Sequence, residues 1–88
     1  MALKMINLQG YNWVKVATNV KTGTITFEPT SVQADKIYYL AYVATGGAAP
    51  VDMTTAMANT NLVHPVSSAT YIDVYVHTLG ARVALTNF

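Results

Sequence analysis

The sequence predicts an all-β fold, a compact antiparallel β-sandwich or barrel of about six short strands. Three observations carry this expectation. Val, Thr, Ile and Tyr are abundant, and such side chains fit a pleated, half-buried surface better than a helix. Several short runs alternate apolar and polar residues with period two. Turn-forming clusters separate these runs roughly every eight to twelve residues.

In chain order, the first firm strand is residues 13–18, where Val14 and Val16 alternate with Lys15 and Ala17 and are read as the inward face. Asn19-Val20-Lys21-Thr22-Gly23 supplies turn chemistry. Thr24-Ile25-Thr26-Phe27-Glu28 follows with Ile25 and Phe27 inward, so a hairpin is expected, closed by Pro29, which cannot donate a ladder hydrogen bond. After a polar connector at 30–35, residues 36–44 are apolar or aromatic on both faces: Ile37, Tyr39, Ala41 and Val43 on one, Tyr38, Leu40 and Tyr42 on the other. Such a strand is either covered twice or keeps one face for a partner.

Thr45-Gly46-Gly47-Ala48-Ala49-Pro50 reads as a loop. Residues 52–59 are the one place for a short helical turn, with Asp52 as its cap. Residues 61–66 read as a short edge strand interrupted by Pro65, and Ser67-Ser68 as a turn. The last signal is the clearest. Thr70-Tyr71-Ile72-Asp73-Val74-Tyr75-Val76-His77 sets Ile72, Val74 and Val76 against Tyr71, Asp73, Tyr75 and His77, and Val83 and Leu85 return after Leu79-Gly80 as a C-terminal hairpin.

Composition bounds the function. The 88 residues make one domain, 1–88, with residues 1–10 read as an extended N-terminal arm able to add a strand to a neighbouring sheet. Without cysteine the chain has no disulfide, thiolate metal site or thiol catalysis. A small core then calls for oligomerisation or docking as its staple. Charged residues make up 10% of the chain against roughly 25% in an ordinary soluble domain. The basic residues Lys4, Lys15, Lys21, Lys36 and Arg82 are scattered, which speaks against nucleic acid. The longest uncharged apolar run, 37–44, is far short of the roughly 20 residues that span a bilayer. No signal-peptide pattern opens the chain, so synthesis and retention in the cytoplasm of the producing cell are expected.

Chemical constellations are weak. Asp73 and His77 are four apart, but on a strand that is about 13 Å, too far to share one ion. Ser67, Ser68, His64, His77 and Asp73 form no nucleophile pattern, and Gly46-Gly47 lacks the lysine and context of a phosphate loop. Neither an enzyme nor a metal or other cofactor is expected. More informative are the aromatic residues. Tyr71, Asp73, Tyr75 and His77 share one strand face, and Tyr11-Asn12-Trp13 forms a second cluster. Tyrosines can simply rim a small core with their hydroxyls in water. The same residues also suit a protein interface, where aromatic side chains are enriched and charge is depleted. Trp13, Tyr42, Tyr71, Tyr75 and His77 are the candidate contact residues.

Gly46-Gly47-Ala48-Ala49-Pro50, then Val63-His64-Pro65-Val66, then residues 69–77 with a short return strand, resemble the C-terminal part of small structural proteins of tailed bacteriophages. The resemblance covers the second half of the chain and carries no catalytic residue. It implies a non-enzymatic virion component, a capsid decoration or cement subunit that is homo-oligomeric and binds the major capsid protein or another virion protein. The alternative is a tail-tip or appendage module that stacks Trp13 and the tyrosines on a host glycan or receptor.

Overall fold

The structure is a computed structural model and describes residues 4–8, 12–29, 37–78 and 81–88. All of its regular structure is β. Six strands, β1 (Lys4–Leu8), β2 (Trp13–Pro29), β3 (Tyr38–Ala44), β4 (Met57–Asn59), β5 (Val63–His77) and β6 (Ala81–Thr86), form one antiparallel sheet in the order β1-β6-β2-β5-β3-β4. The expected fold class and strand number hold, but the connections differ from the expected hairpins.

Residues 13–29 are one continuous strand rather than two joined by a turn. A straight strand of that length would run about 55 Å, yet the longest dimension of the molecule is 36 Å. The pairing shows how it fits. Trp13 faces His77, Pro29 faces Ala81, and only three residues separate His77 from Ala81. Both ends of β2 therefore lie at the same end of the molecule, and the strand must double back. Its bend coincides with three register shifts against β5 between Lys15 and Thr22, and with Asn19 at φ 56°. The expected turn residues thus serve a corner: extra residues on one strand increase its twist and let it pass from one layer to the other.

β5 bends at the same place. From Val20↔Ile72 to Thr22↔Ser67, β2 advances two residues while β5 uses five, so Ser67-Ser68 belong to this irregularity and not to a turn between strands. Pro65 is accommodated because β5 has a neighbour there on one side only. The result is a two-layer sandwich made from a single folded sheet. One layer holds the first half of β2, the second half of β5, β3 and β4. The other holds β1, β6, the second half of β2 and the first half of β5.

Apolar side chains meet between the layers. Val16, Ile25, Phe27, Ile72, Val74, Val76, Val83 and Leu85 are buried on the faces expected to point inward, and Leu40 and Val66 join them. Val14 is only partly buried, and Ala17, set opposite the valines in the sequence pattern, is buried as well. Phe27 and Tyr38, on strands that do not pair, stack with centroids 4.3 Å apart and rings 7° from parallel. On β3 it is therefore the Tyr38, Leu40, Tyr42 face that enters the core.

Three further expectations are corrected. Asp52 caps only a turn, accepting the Thr54 N–H at 3.0 Å, and no helix forms at 52–59, because the chain is drawn on as β4 against β3. β5 and β6 are not a hairpin: β6 pairs with β2 and β1, since the corner brings the far end of β2 beside Ala81. Residues 4–8 are not a free arm but the edge strand β1. Tyr11, the connector 30–35 and the Leu79-Gly80 link lie outside the described residues.

Candidate interaction surface

The five aromatic and histidine positions separate into distinct environments. Trp13 and His77 face each other across the ladder and touch edge to face, with ring centroids 5.1 Å apart. Both are half-buried, and the indole N–H of Trp13 donates to the Asp52 carbonyl at 3.1 Å. Tyr75 is next in the row, opposite Lys15 on one side and Ala41 on the other. It is 5% exposed, and the Lys15 ammonium stands 5.7 Å from its ring centre. Tyr42 lies on the other face of the layer, against the core, where its hydroxyl meets His64 Nε2 at 2.7 Å. Burial raises the Tyr42 pKa and lowers that of His64, so both favour their neutral forms. Only Tyr71 is fully at the surface, 54% exposed, with the Lys21 ammonium 4.8 Å from its ring centre.

The alternation in β5 thus does not place Tyr75 and Asp73 at an open face. The segment 45–56 crosses that face. It is tied at its start by the Thr45 and Gly46 N–H groups, which donate to the Tyr71 carbonyl and to Asp73 Oδ2, each at 3.4 Å. It is tied at its far end by the Trp13 contact with Asp52. Gly46 allows the reversal into this strap with φ 84°, and Gly47 packs so closely on Val43 and the Ala44 carbonyl that a larger residue would not fit.

Asp73 is the most deeply buried charged residue described, at 1% exposure. Its carboxylate accepts the Asn19 N–H at 2.9 Å as well as the Gly46 N–H, and Lys15 Nζ lies 3.6 Å away. The Asn19 bond, more than any other influence, holds its pKa below the ordinary carboxylate value; the Gly46 N–H and Lys15 act in the same direction and burial opposes them. Asp73 acts as a brace between the corner and the strap.

A surface that the aromatic pattern did not indicate lies around β4. The 45 residues from Ile37 to Ala81 contain two charged residues, Asp52 and the buried Asp73. Within the same stretch Ile37, Val51, Met53, Met57, Leu62 and Val63 are exposed, Val51 at 93% and Leu62 and Val63 each at 53%. Residues 51–57 lead into β4, 61–63 lead out of it into β5, and Ile37 precedes Tyr38, whose partner is Asn59. The Phe27 N–H donates to the Leu62 carbonyl at 2.7 Å, and the Asn59 side chain donates to the Asn61 carbonyl at 2.7 Å, so the backbone here is held. An open hollow of about 340 Å³, lined by Tyr42, Val43, Pro50, Val51 and Thr55 among others, borders this region. The signal in the sequence was the run without charge, which alternation within single strands does not display.

A positioned, charge-poor apolar surface is suited to excluding water against another protein. The chain matches no protein-family model, no curated protein and no solved structure.

Proposed function

We propose that the chain is a non-enzymatic virion structural protein, a capsid decoration subunit that binds a phage head and stabilises it by protein–protein contacts. The observation that carries this reading is the β4 surface: six large apolar side chains are exposed in a stretch whose single exposed charge is Asp52. The resemblance of residues 46–77 to small phage structural proteins supplies the kind of assembly.

The energetics suit such a role. A standard interface takes about 800 Å² from each partner, and this chain exposes 5119 Å² in all, so one contact uses roughly a sixth of it. Each large apolar side chain carried from water into an interface contributes about 1.5–3 kcal/mol when buried completely, less where it is already half-covered. Repetition across a shell multiplies modest contacts through effective concentration. The glycan alternative relies on the Trp13 and tyrosine faces. Tyr75 is buried and the Trp13 N–H is already bonded, which favours the protein-contact reading.

Two measurements separate the readings. Cosedimentation of the purified chain with capsid shells of the phage that encodes it should saturate, while a saccharide titration followed by Trp13 fluorescence should give no response. A saturable response to a sugar with no shell binding would reverse the assignment.

A further inference from the structure

We propose that β1 exchanges between copies, so that Lys4–Leu8 of one chain occupies the β6 edge of a second copy of this chain. β1 is the outermost strand of its layer and pairs with β6 alone, from Lys4↔Leu85 to Leu8↔Ala81. Its attachment is a single ladder of five pairs, and two of its side chains are described. Ile6 is partly buried against the core, whereas Met5 is exposed.

The first strand of the chain thus pairs with the last. Pairings distant in sequence close the largest loops and form after the local ones, so the β6 edge stands open while the remaining sheet is already assembled. The β1 of another copy has the same sequence and offers the same ladder. Filling the edge from a neighbour costs only the association itself, which makes exchange of an identical element an inexpensive route to dimers. Four residues join Leu8 to Trp13, which bounds the link at about 17 Å.

Three other stretches of sheet edge are poorly suited to accepting a strand. The free side of residues 63–67 carries Pro65, residues 13–20 are interrupted by register shifts, and β4 has three residues. The β1–β6 ladder is regular over all five of its pairs. This inference concerns the chain by itself and does not depend on which larger assembly it joins.

The absence of cysteine permits a direct test. Met5 and Ala84 face each other in the ladder. Met5→Cys and Ala84→Cys are prepared as separate proteins, one of them mass-labelled, then unfolded together, refolded and oxidised. Exchange predicts a two-chain disulfide joining position 5 of one variant to position 84 of the other, well above the statistical share set by the 5-to-5 and 84-to-84 products. Light scattering of the unmodified chain at high concentration should give about twice its 9.5 kDa mass. A 5-to-84 product at or below the statistical share overturns the inference, and a dimeric mass alongside that result would assign self-association to a different surface.

Discussion

The carboxylate of Asp73 accepts the main-chain N–H of Asn19 at 2.9 Å, across the corner where β2 and β5 both turn from one layer into the other. Asn19 has left-handed backbone geometry at a register shift, and its N–H is satisfied by a side chain rather than by the ladder. Backbone donors need a partner, and at this corner the carboxylate supplies it. Because the folded state lowers the Asp73 pKa, it binds that proton more weakly than the unfolded chain does. The resulting stability is present above the ordinary value of 3.8 and is lost as pH falls through the lower folded value. Urea midpoints measured from about pH 7 down to about pH 2.5 should therefore drop steeply in the acid limb. Asp73→Asn should lower the neutral midpoint and flatten that limb; an unchanged limb would show that Asp73 is not its origin.

The parts of this fold that were legible in the sequence are those set by one strand and its own core face. Ile25 and Phe27, then Ile72, Val74 and Val76, then Val83 and Leu85 face inward as their alternation indicates. What alternation could not convey is which distant segment covers the opposite face. Tyr75 and Asp73 carry the pattern of outward residues and are nevertheless buried, because the strap at 45–56 is recruited by single contacts to Trp13, Tyr71 and Asp73 and has no periodicity of its own. The corner departs from the expected hairpin for a related reason. A left-handed Asn serves a hairpin turn or a bulge equally well, and the choice was made by β5, which runs along both halves of β2. Among the candidate contact residues, Trp13 and His77 do come together, whereas Tyr42 faces the core and Tyr71 stands apart on the surface.

The stack of Phe27 on Tyr38 joins the two layers directly. Phe27→Ala should cost about 3–5 kcal/mol, the range for emptying a buried aromatic site, which for a domain of this size is much of its total stability. In a double-mutant cycle with Phe27→Leu and Tyr38→Leu, equilibrium unfolding should report a coupling of about 0.5–1.5 kcal/mol beyond the individual losses. Additive losses would mean that the rings merely share the core.

Gly23 lies beneath the ring of Phe88, which Asn87 at φ 61° directs back over β2. A methyl group at position 23 would overlap that ring. Gly23→Ala should destabilise by about 1–3 kcal/mol, as overpacking does, and the penalty should shrink when Phe88→Ala is added, since the obstruction is then gone. Thermal unfolding of the two single variants and the double variant measures this. An equal penalty in both backgrounds would place the cost in the strand itself.

Tyr42 and His64 bridge the layers through one hydrogen bond. Tyr42→Phe should cost about 0.5–1.5 kcal/mol. Burial lowers the His64 pKa, so the folded state takes up its proton less readily than the unfolded chain, and the contribution of His64 is complete above the ordinary value of 6.5 and declines as pH falls through the lower folded value. His64→Gln should reduce the slope of stability against pH from about 7 to about 5. A slope equal to that of the wild type would exclude His64 as the titrating group.

The claim that the chain is a decorating subunit rests on the exposed side chains around β4, of which Leu62 and Val63 are adjacent and each half-exposed. Each position is already half in water, so an aspartate carboxylate there stays solvated and the fold should be retained. The decisive measurement is cosedimentation with capsid shells of the phage that the proposed function implies, comparing wild type with the Leu62→Asp, Val63→Asp double variant after matched unfolding curves confirm both are folded. Saturable binding by the wild type and a loss of tenfold or more in the variant, equivalent to about 1.4 kcal/mol or more, is the predicted result. Absence of wild-type binding, or equal binding by the two proteins, would contradict it.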